Sequence, residues 1–193
     1  MLQTQIAETE TSLIEEAQHG DRNAYGELVR RHYQGVVLVV TRMCGDTGLA
    51  EDAAQEAFLR AWLNLGSFHQ TKGSLRNWLY RIAINAALDV LRRKPEGSLE
   101  DEEALGMADR AMGPESVVIE KEQTAQVRQA LKSLPEASRS VLILREYGAL
   151  SYQEIAETLD VPIGTVMSRL NYGRNRLREI LIGEMNQMEK THA

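Results

Sequence analysis

A basic helix near the end of the chain carries the residue types best suited to contact another macromolecule. Residues 151–178 read SYQEIAETLDVPIGTVMSRLNYGRNRLR and contain two stretches with the periodicity of a helix. Val161-Pro162-Ile163-Gly164 separates them and breaks the first helix. The second stretch has no acidic residue before Glu179. This pattern predicts a helix-turn-helix whose second helix enters the major groove of DNA. An ordinary helical hairpin with a solvated basic face would have the same pattern.

Local signals support a pair of short helices in this segment. Ser151 and Glu154 have the spacing of a capping box, in which each residue satisfies a free backbone amide at a helix start. In the second helix, Val166, Leu170 and Leu177 form one apolar stripe, so the other faces are polar or basic.

Composition narrows the possible classes of protein. The chain has 193 residues with 43% hydrophobic and 26% charged content, which is ordinary for a soluble globular protein. No apolar run is long enough to span a bilayer and no leader opens the chain, so we expect cytoplasmic residence without membrane insertion. Cys44 is the single cysteine, expected to be a small buried residue with a redox sensor as the alternative. We expect no catalytic residues, metal or cofactor, because no known motif for them is present.

The net charge of −6 is concentrated in one segment. Residues 95–116 hold seven acids and one base, and the rest of the chain has 21 of each. This segment has little apolar surface to offset the entropy of ordering. We therefore interpret 95–116 as a flexible acidic linker between two small all-α domains, at 10–94 and 117–184.

Helical periods account for both domains. Ser12-Leu13-Ile14-Glu15 has capping-box spacing and predicts a short helix that starts there and ends near Gly20. Asp21 is expected to cap a long second helix. The other predicted elements are a turn at 45–48, helices at 49–65 and 74–94, a polar loop at 66–73, and helices at 117–132 and 134–147.

Two of these helices have unusual surfaces. Asp52, Gln55 and Glu56 share one face of the third helix, which is either solvated surface or a docking site for a basic partner. The fourth helix has five bases and one acid over 74–94, with aromatic residues near its start. Basic residues beside aromatic rings suit single-stranded nucleic acid, although Trp78 and Tyr80 could instead belong to the core.

Together these motifs resemble the extracytoplasmic-function (ECF) sigma factors, group 4 of the sigma-70 family of RNA polymerase subunits. Asp52-x-x-Gln55-Glu56-x-Phe58-x-Arg60-Ala61 resembles the core-binding motif of that family. Residues 78–93 resemble its promoter-melting helix, and 134–145 with the helix-turn-helix resemble its second domain. The resemblance covers about 12–182. Two departures affect the reading helix: position 167 is often basic in the family but is Met167 here, and Tyr172-Gly173 stands where many members have Arg-Ala.

The resemblance implies a role for each matched surface. The core-binding residues would contact the coiled coil of the polymerase β′ clamp, the second domain would contact the β flap, and an anti-sigma factor would hold the protein inactive. The implied core-binding residues are Asp52, Gln55, Glu56 and Phe58. The implied −10 DNA-binding residues are Ser67, Phe68, His69, Trp78, Tyr80, Arg81, Asn85, Arg92 and Arg93. The implied −35 DNA-binding residues are Thr165, Met167, Ser168, Arg169, Asn171, Tyr172, Arg174, Arg176 and Arg178.

Two other functions use part of the same sequence. A free-standing helix-turn-helix regulator would bind duplex operators by itself, but it has no need for the face formed by Asp52, Gln55 and Glu56. A helical protein-interaction module without DNA contact does not account for an acid-free recognition helix. We therefore expect a bacterial transcription initiation factor.

Overall fold

The computed structural model describes the backbone of residues 2–93 and 125–191 and the side chains of 10–93 and 125–183. The described segments are helical, with no β-strand among them, which confirms the all-α prediction. The helices are α1 (Leu2–Gln18), α2 (Arg22–Cys44), α3 (Thr47–Asn64), α4 (Leu75–Arg93), α5 (described over 125–132), α6 (Glu136–Glu146), α7 (Tyr152–Leu159) and α8 (Ile163–Thr191). The predicted acidic linker at 95–116 lies outside the described residues, as does the predicted helix start at 117.

Side-chain caps explain where several helices begin. The Asp21 carboxylate accepts hydrogen bonds from the amides of Asn23 and Ala24, as predicted for the start of α2. Asp46 caps α3 in the same way, so this helix begins at Thr47 and not at 49. The Ser74 hydroxyl accepts from the Asn77 amide at the start of α4.

The prediction of a helix start at Ser12 is wrong. Helix α1 begins at Leu2 and runs through Ser12, whose hydroxyl donates to the Glu16 carboxylate one turn later at 2.8 Å. Serine-to-acid spacing occurs inside helices as well as at their starts. The predicted polar loop at 66–73 also differs, because it contains two 3₁₀ turns at Leu65–Ser67 and Gln70–Lys72. Helix α6 begins at Glu136, after Pro135.

The first four helices pack around a core of small and branched residues. Alanines of α3, such as Ala53, Ala57 and Ala61, are fully buried and allow α2 and α4 to approach closely. None of the helices in the described part of the chain combines the length and apolar character needed to cross a bilayer. Cys44 is buried at 2% exposure, and burial raises the pKa of its thiol to about 12.

The two helical domains share one continuous apolar core. Helix α7 packs against α4, and α6 packs against α2 and α4. The buried Arg139 of α6 donates a hydrogen bond of 3.1 Å to the carbonyl of Met43 in the last turn of α2. The Arg42 guanidinium lies 4.7 Å from the centre of the Tyr147 ring, on the other domain.

Glu154 connects the helix-turn-helix to α4 through its capping box. Its carboxylate accepts from the Ser151 amide at 2.8 Å and from the side chains of Asn77 and Arg76 at 3.2 and 3.3 Å. These bonds favour the charged form and hold the pKa of Glu154 below its ordinary value of 4.5, with the Ser151 backbone bond as the largest cause.

We expect Glu154→Gln to lower the free energy of unfolding by roughly 0.5 kcal/mol at pH 7, because glutamine can still accept from the Ser151 amide but loses the charge that faces Arg76 and the start of the helix. Because the folded-state pKa is depressed, the carboxylate stabilises the fold above pH 4.5, and this contribution disappears as the pH falls through the folded-state value. The difference between variant and native chain in urea unfolding should therefore shrink as the pH is lowered below 4.5. Glu157→Gln, at an exposed site of the same helix, is the control. A difference that persists unchanged in acid would contradict this explanation.

Candidate nucleic-acid interface

The recognition helix is held by a compact turn. Asp160 ends α7 in the left-handed conformation, and the Pro162 carbonyl accepts hydrogen bonds from the amides of Thr165 and Val166 at the start of α8. Val166 and Leu170 are buried at 0% and 2%, so the predicted apolar stripe faces the domain core. The opposite face of α8 is consequently free to meet a ligand.

That outward face carries several residues of the implied −35 DNA-binding set. Ser168, Asn171 and Tyr172 are exposed, and the Met167 side chain is half exposed. Thr165 and Arg169 are partly buried. A hydroxyl, an amide and a phenol can form hydrogen bonds with base edges, whereas the Met167 thioether offers only apolar contact and a weak acceptor.

Two arginines of the implied −35 DNA-binding set have acidic partners. Arg174 lies 2.7 Å from the Glu146 carboxylate of α6, which raises the pKa of its guanidinium, and Arg176 lies 3.0 Å from Glu179. Both pairs are exposed, so their energies are small and phosphate can compete for the arginines. Arg178 is also exposed.

Helix α4 presents a second polar surface. Arg81 and Asn85 are exposed one turn apart, and the adjoining loop exposes Ser67 and His69. Trp78 is half buried, with its ring centre 5.3 Å from that of Phe68. The exposed loop therefore adjoins the part of α4 that carries Trp78, the Arg81 guanidinium and the Asn85 amide. Arg92 and Arg93 are exposed further along the helix, where Arg92 lies 3.3 Å from Glu136 of α6.

The expected DNA contacts of Phe68 and Tyr80 do not agree with this arrangement. Phe68 is 4% exposed because its ring anchors the loop beneath Trp78. Tyr80 is 6% exposed and lies against Gly35 and Gly148, where an added Cβ would lie 2.6 Å from the Tyr80 hydroxyl oxygen and 3.1 Å from the ring carbon Cε2, respectively. Neither ring can stack on a base in this conformation.

The acidic face of α3 is well defined. Asp52 and Gln55 are exposed, while Glu56 is partly covered and accepts a 2.7 Å hydrogen bond from Arg60. Arg60 also lies 2.7 Å from Asp89 of α4, so one guanidinium connects the two helices. Beside this face, a cleft is lined by apolar and charged residues, among them Leu49, Leu59, Val90 and Arg93.

Phe58 belongs to a different side of α3. Its ring stacks on the Tyr33 ring of α2 with centres 6.1 Å apart and planes at 14°. Its carbonyl accepts a 2.6 Å hydrogen bond from the Tyr25 hydroxyl. Phe58 thus fixes α3 against α2, and its predicted contact with a partner is not part of the acidic face.

Three residues with structural importance were missed in the sequence. Arg139 is a buried cation that stands between two serines ahead of the apolar run 141–144 of α6, and no local pattern indicates that it is buried. Asn77 and Gln18 make hydrogen bonds to groups that are 77 and about 50 residues away, which no local pattern indicates.

Family models match both halves of the chain. Residues 28–95 match sigma-70 region 2, and residues 124–177 match sigma-70 region 4. The chain is 36% identical over 183 residues to the RNA polymerase sigma-H factor of Pseudomonas aeruginosa, which covers 90% of this chain and 94% of that protein. It is 35% identical over 178 residues to the ECF RNA polymerase sigma factor SigW of Bacillus subtilis, covering 87% and 94% respectively.

A solved structure has the same fold. The sigma factor RpoE of Bartonella quintana, crystallised with the anti-sigma factor NepR, superposes with a TM-score of 0.66 at 23% identity, over 81% of this chain and 96% of that one. The two regions define a sigma-70 protein, a subunit that directs transcription initiation. The chain belongs to the ECF sigma factors, as its sequence motifs predicted.

Gly173 stands where many members of the family have alanine, and its surroundings show whether packing requires a glycine there. This glycine is buried where α8 passes α6, and a built Cβ would lie 3.7 Å from the Ser138 carbonyl oxygen, an ordinary contact distance. Close packing therefore does not require a glycine.

Gly173→Ala should raise the free energy of unfolding by about 0.5–1 kcal/mol, because alanine has the higher helix propensity. Chemical denaturation of the two proteins measures this difference. The contrasting change, Gly148→Ala, places a Cβ 2.7 Å from the Leu144 carbonyl oxygen and should destabilise. A loss of stability in Gly173→Ala would mean that α6 and α8 cannot accept the added methyl group.

Proposed function

We propose that this sigma factor uses three separate surfaces, one for the polymerase and two for promoter DNA. Helix α3 would dock onto the core enzyme, α4 with its preceding loop would open and read the −10 element, and α8 would read the −35 element. The observation that supports this best is the coexistence of an acidic face on α3 with two cation- and amide-bearing surfaces on α4 and α8. A regulator that bound duplex DNA by itself would need α8 alone.

The docking face would be formed by Asp52, Gln55 and Glu56. Its charge suits a basic, elongated partner such as the coiled coil of the β′ clamp, and complementary charge speeds encounter and sets register. Leu59 and Leu63 continue along the exposed side of α3 at 53% and 71% exposure, so apolar contacts are available beside the charged ones. Region 4 would contact the β flap.

The −10 surface would capture a base from the non-template strand. Extruding a base costs a few kcal/mol, least at an easily unstacked step. The loop containing Ser67 and His69 would receive the base, with Arg81 and Asn85 on the adjacent turn of α4 holding phosphate and sugar. Melting and recognition would then be one event.

On the −35 surface, the uncharged polar side chains and the arginines would contact different parts of the DNA. Ser168, Asn171 and Tyr172 would meet base edges, and the arginines of α8 would hold phosphates. With Met167 in place of a cation, the separate helix-turn-helix would bind DNA weakly.

The packed arrangement cannot read both elements at once. A compact chain of 193 residues has a radius of gyration of about 16 Å and is roughly 40 Å across. Elements centred at −10 and −35 are about 25 base pairs apart, or about 85 Å along straight duplex. The domains would therefore separate when the factor loads onto polymerase, and separation would uncover the side of Tyr80 that faces Gly148.

Separation also offers a point of control. An anti-sigma factor that stabilised the packed form would keep α4 and α8 too close together for promoter binding. We propose that this factor acts in the cytoplasm, where polymerase and promoter are found, and that it has no enzymatic activity of its own, since the polymerase carries out the chemistry.

The double variant Gln55→Ala with Glu56→Ala tests the docking face. It should weaken binding to bacterial core RNA polymerase on the order of tenfold or more, by removing an amide and a charge from the interface. The fold should remain, since Arg60 keeps its 2.7 Å partner Asp89. Gel filtration and fluorescence titration with labelled protein give the affinity.

The matched control is Gln153→Ala with Glu157→Ala, an exposed glutamine and glutamate one turn apart on α7. This variant should bind core polymerase like the native chain. Normal transcription from the α3 variant would refute the assignment of this face. Specific duplex binding by the native chain with no association to polymerase would favour a free-standing regulator instead.

A further inference from the structure

One side chain of α1 fixes the loop that precedes α4. Gln18 is the last residue of α1, and its Nε2 atom donates two hydrogen bonds of 2.9 Å, one to the Leu65 carbonyl and one to the Phe68 carbonyl. An amide nitrogen has two hydrogens, so both bonds can form together. The two carbonyls flank the first 3₁₀ turn of the loop. The turn is closed by a backbone hydrogen bond of 3.0 Å from the Phe68 amide to the Leu65 carbonyl, and the Gln18 amide reinforces it by binding the carbonyls at both ends.

Other contacts complete this support. The Thr11 hydroxyl lies 3.4 Å from the Gln70 side-chain oxygen, and Thr11 is two helical turns before Gln18 on the same face of α1. From the opposite side, the buried Phe68 ring packs on Trp78 of α4. The loop is thus fixed between α1 and α4, and it leaves Ser67 and His69 exposed.

We propose that Gln18 is a positioning residue for base selection at the −10 element. This proposal rests on the proposed function of the loop and names a residue outside the matched family region, which begins at 28. A site that distinguishes bases by hydrogen bonds needs its donors and acceptors placed to within a few tenths of an ångström. Without the clamp the turn would widen or fluctuate, and correct and incorrect bases would bind with more similar affinity.

The test replaces Gln18 by Met, which keeps the length of the side chain and removes both donors. Holoenzyme made with core RNA polymerase is titrated with fork-junction DNA whose single-stranded −10 segment carries each of the four bases in turn at each position. We expect the ratio of affinities for the best and worst base to fall about fivefold, as two net hydrogen bonds allow. Affinity for core polymerase should not change.

The matched control is Gln34→Met, a change of the same kind at an exposed site of α2. It should leave the base preference as in the native chain. If Gln18→Met keeps the native ratio, or weakens binding equally for every base, Gln18 has only a structural role and the proposal is wrong.

A second measurement does not depend on the polymerase. In the free protein, amide hydrogen exchange over 66–73 should be about five- to tenfold faster in Gln18→Met than in the native chain and in Gln34→Met. Unchanged exchange would refute the clamp even if transcription were altered. If the native holoenzyme itself showed no base preference at −10, the proposed function of the loop would fail. The exchange measurement would still decide whether Gln18 holds the conformation of the loop.

Discussion

The hydrogen bond from Arg139 to the Met43 carbonyl is the contact on which the packed arrangement depends most. Burying a guanidinium without a carboxylate partner is costly, and burial lowers the pKa of Arg139. The cost is offset because Met43 lies in the last turn of α2, where backbone carbonyls lack helical partners and carry the negative end of the helix dipole. Arg139 also donates to the Leu134 carbonyl at 3.4 Å, in the turn that follows α5. One side chain of α6 thus binds both this turn and the end of α2 in the other domain.

The same contacts explain why the interface between the domains can open. Around Arg139, the domains meet through Glu154 with Arg76 and Asn77, through Arg92 with Glu136, and through Arg42 with Tyr147. Polar groups of this kind can exchange their partners for water or for another macromolecule, whereas the apolar part of the interface, which belongs to the shared core, must be covered by another surface when the domains separate. Charged residues at the interface are therefore compatible with a protein that has one packed and one extended state.

Local sequence patterns predicted the helices well. Contacts between residues that are distant in sequence account for the differences between the prediction and the structure. The Ser151–Glu154 capping box and the Asp21 cap were predicted because their partners lie within three residues. The same spacing at Ser12 misled, because it contains no information on whether the preceding residues are helical. Tyr80 fits a basic-aromatic pattern, but the sequence could not reveal that Gly35 and Gly148, 45 and 68 residues away from Tyr80, leave room for its side chain. Gln18 and Arg139 were missed for the same reason.

The packed chain must extend to act at a promoter, and a measurement of the distance between its two domains tests this extension most directly. Labels at Gln34→Cys and Gln153→Cys report on the two domains, and native Cys44 does not interfere because it is buried with a pKa of about 12. On addition of core polymerase and promoter DNA, the distance between the labels should increase by on the order of 40 Å, the difference between the promoter spacing and the compact chain. An unchanged distance in a complex that initiates transcription would contradict the account.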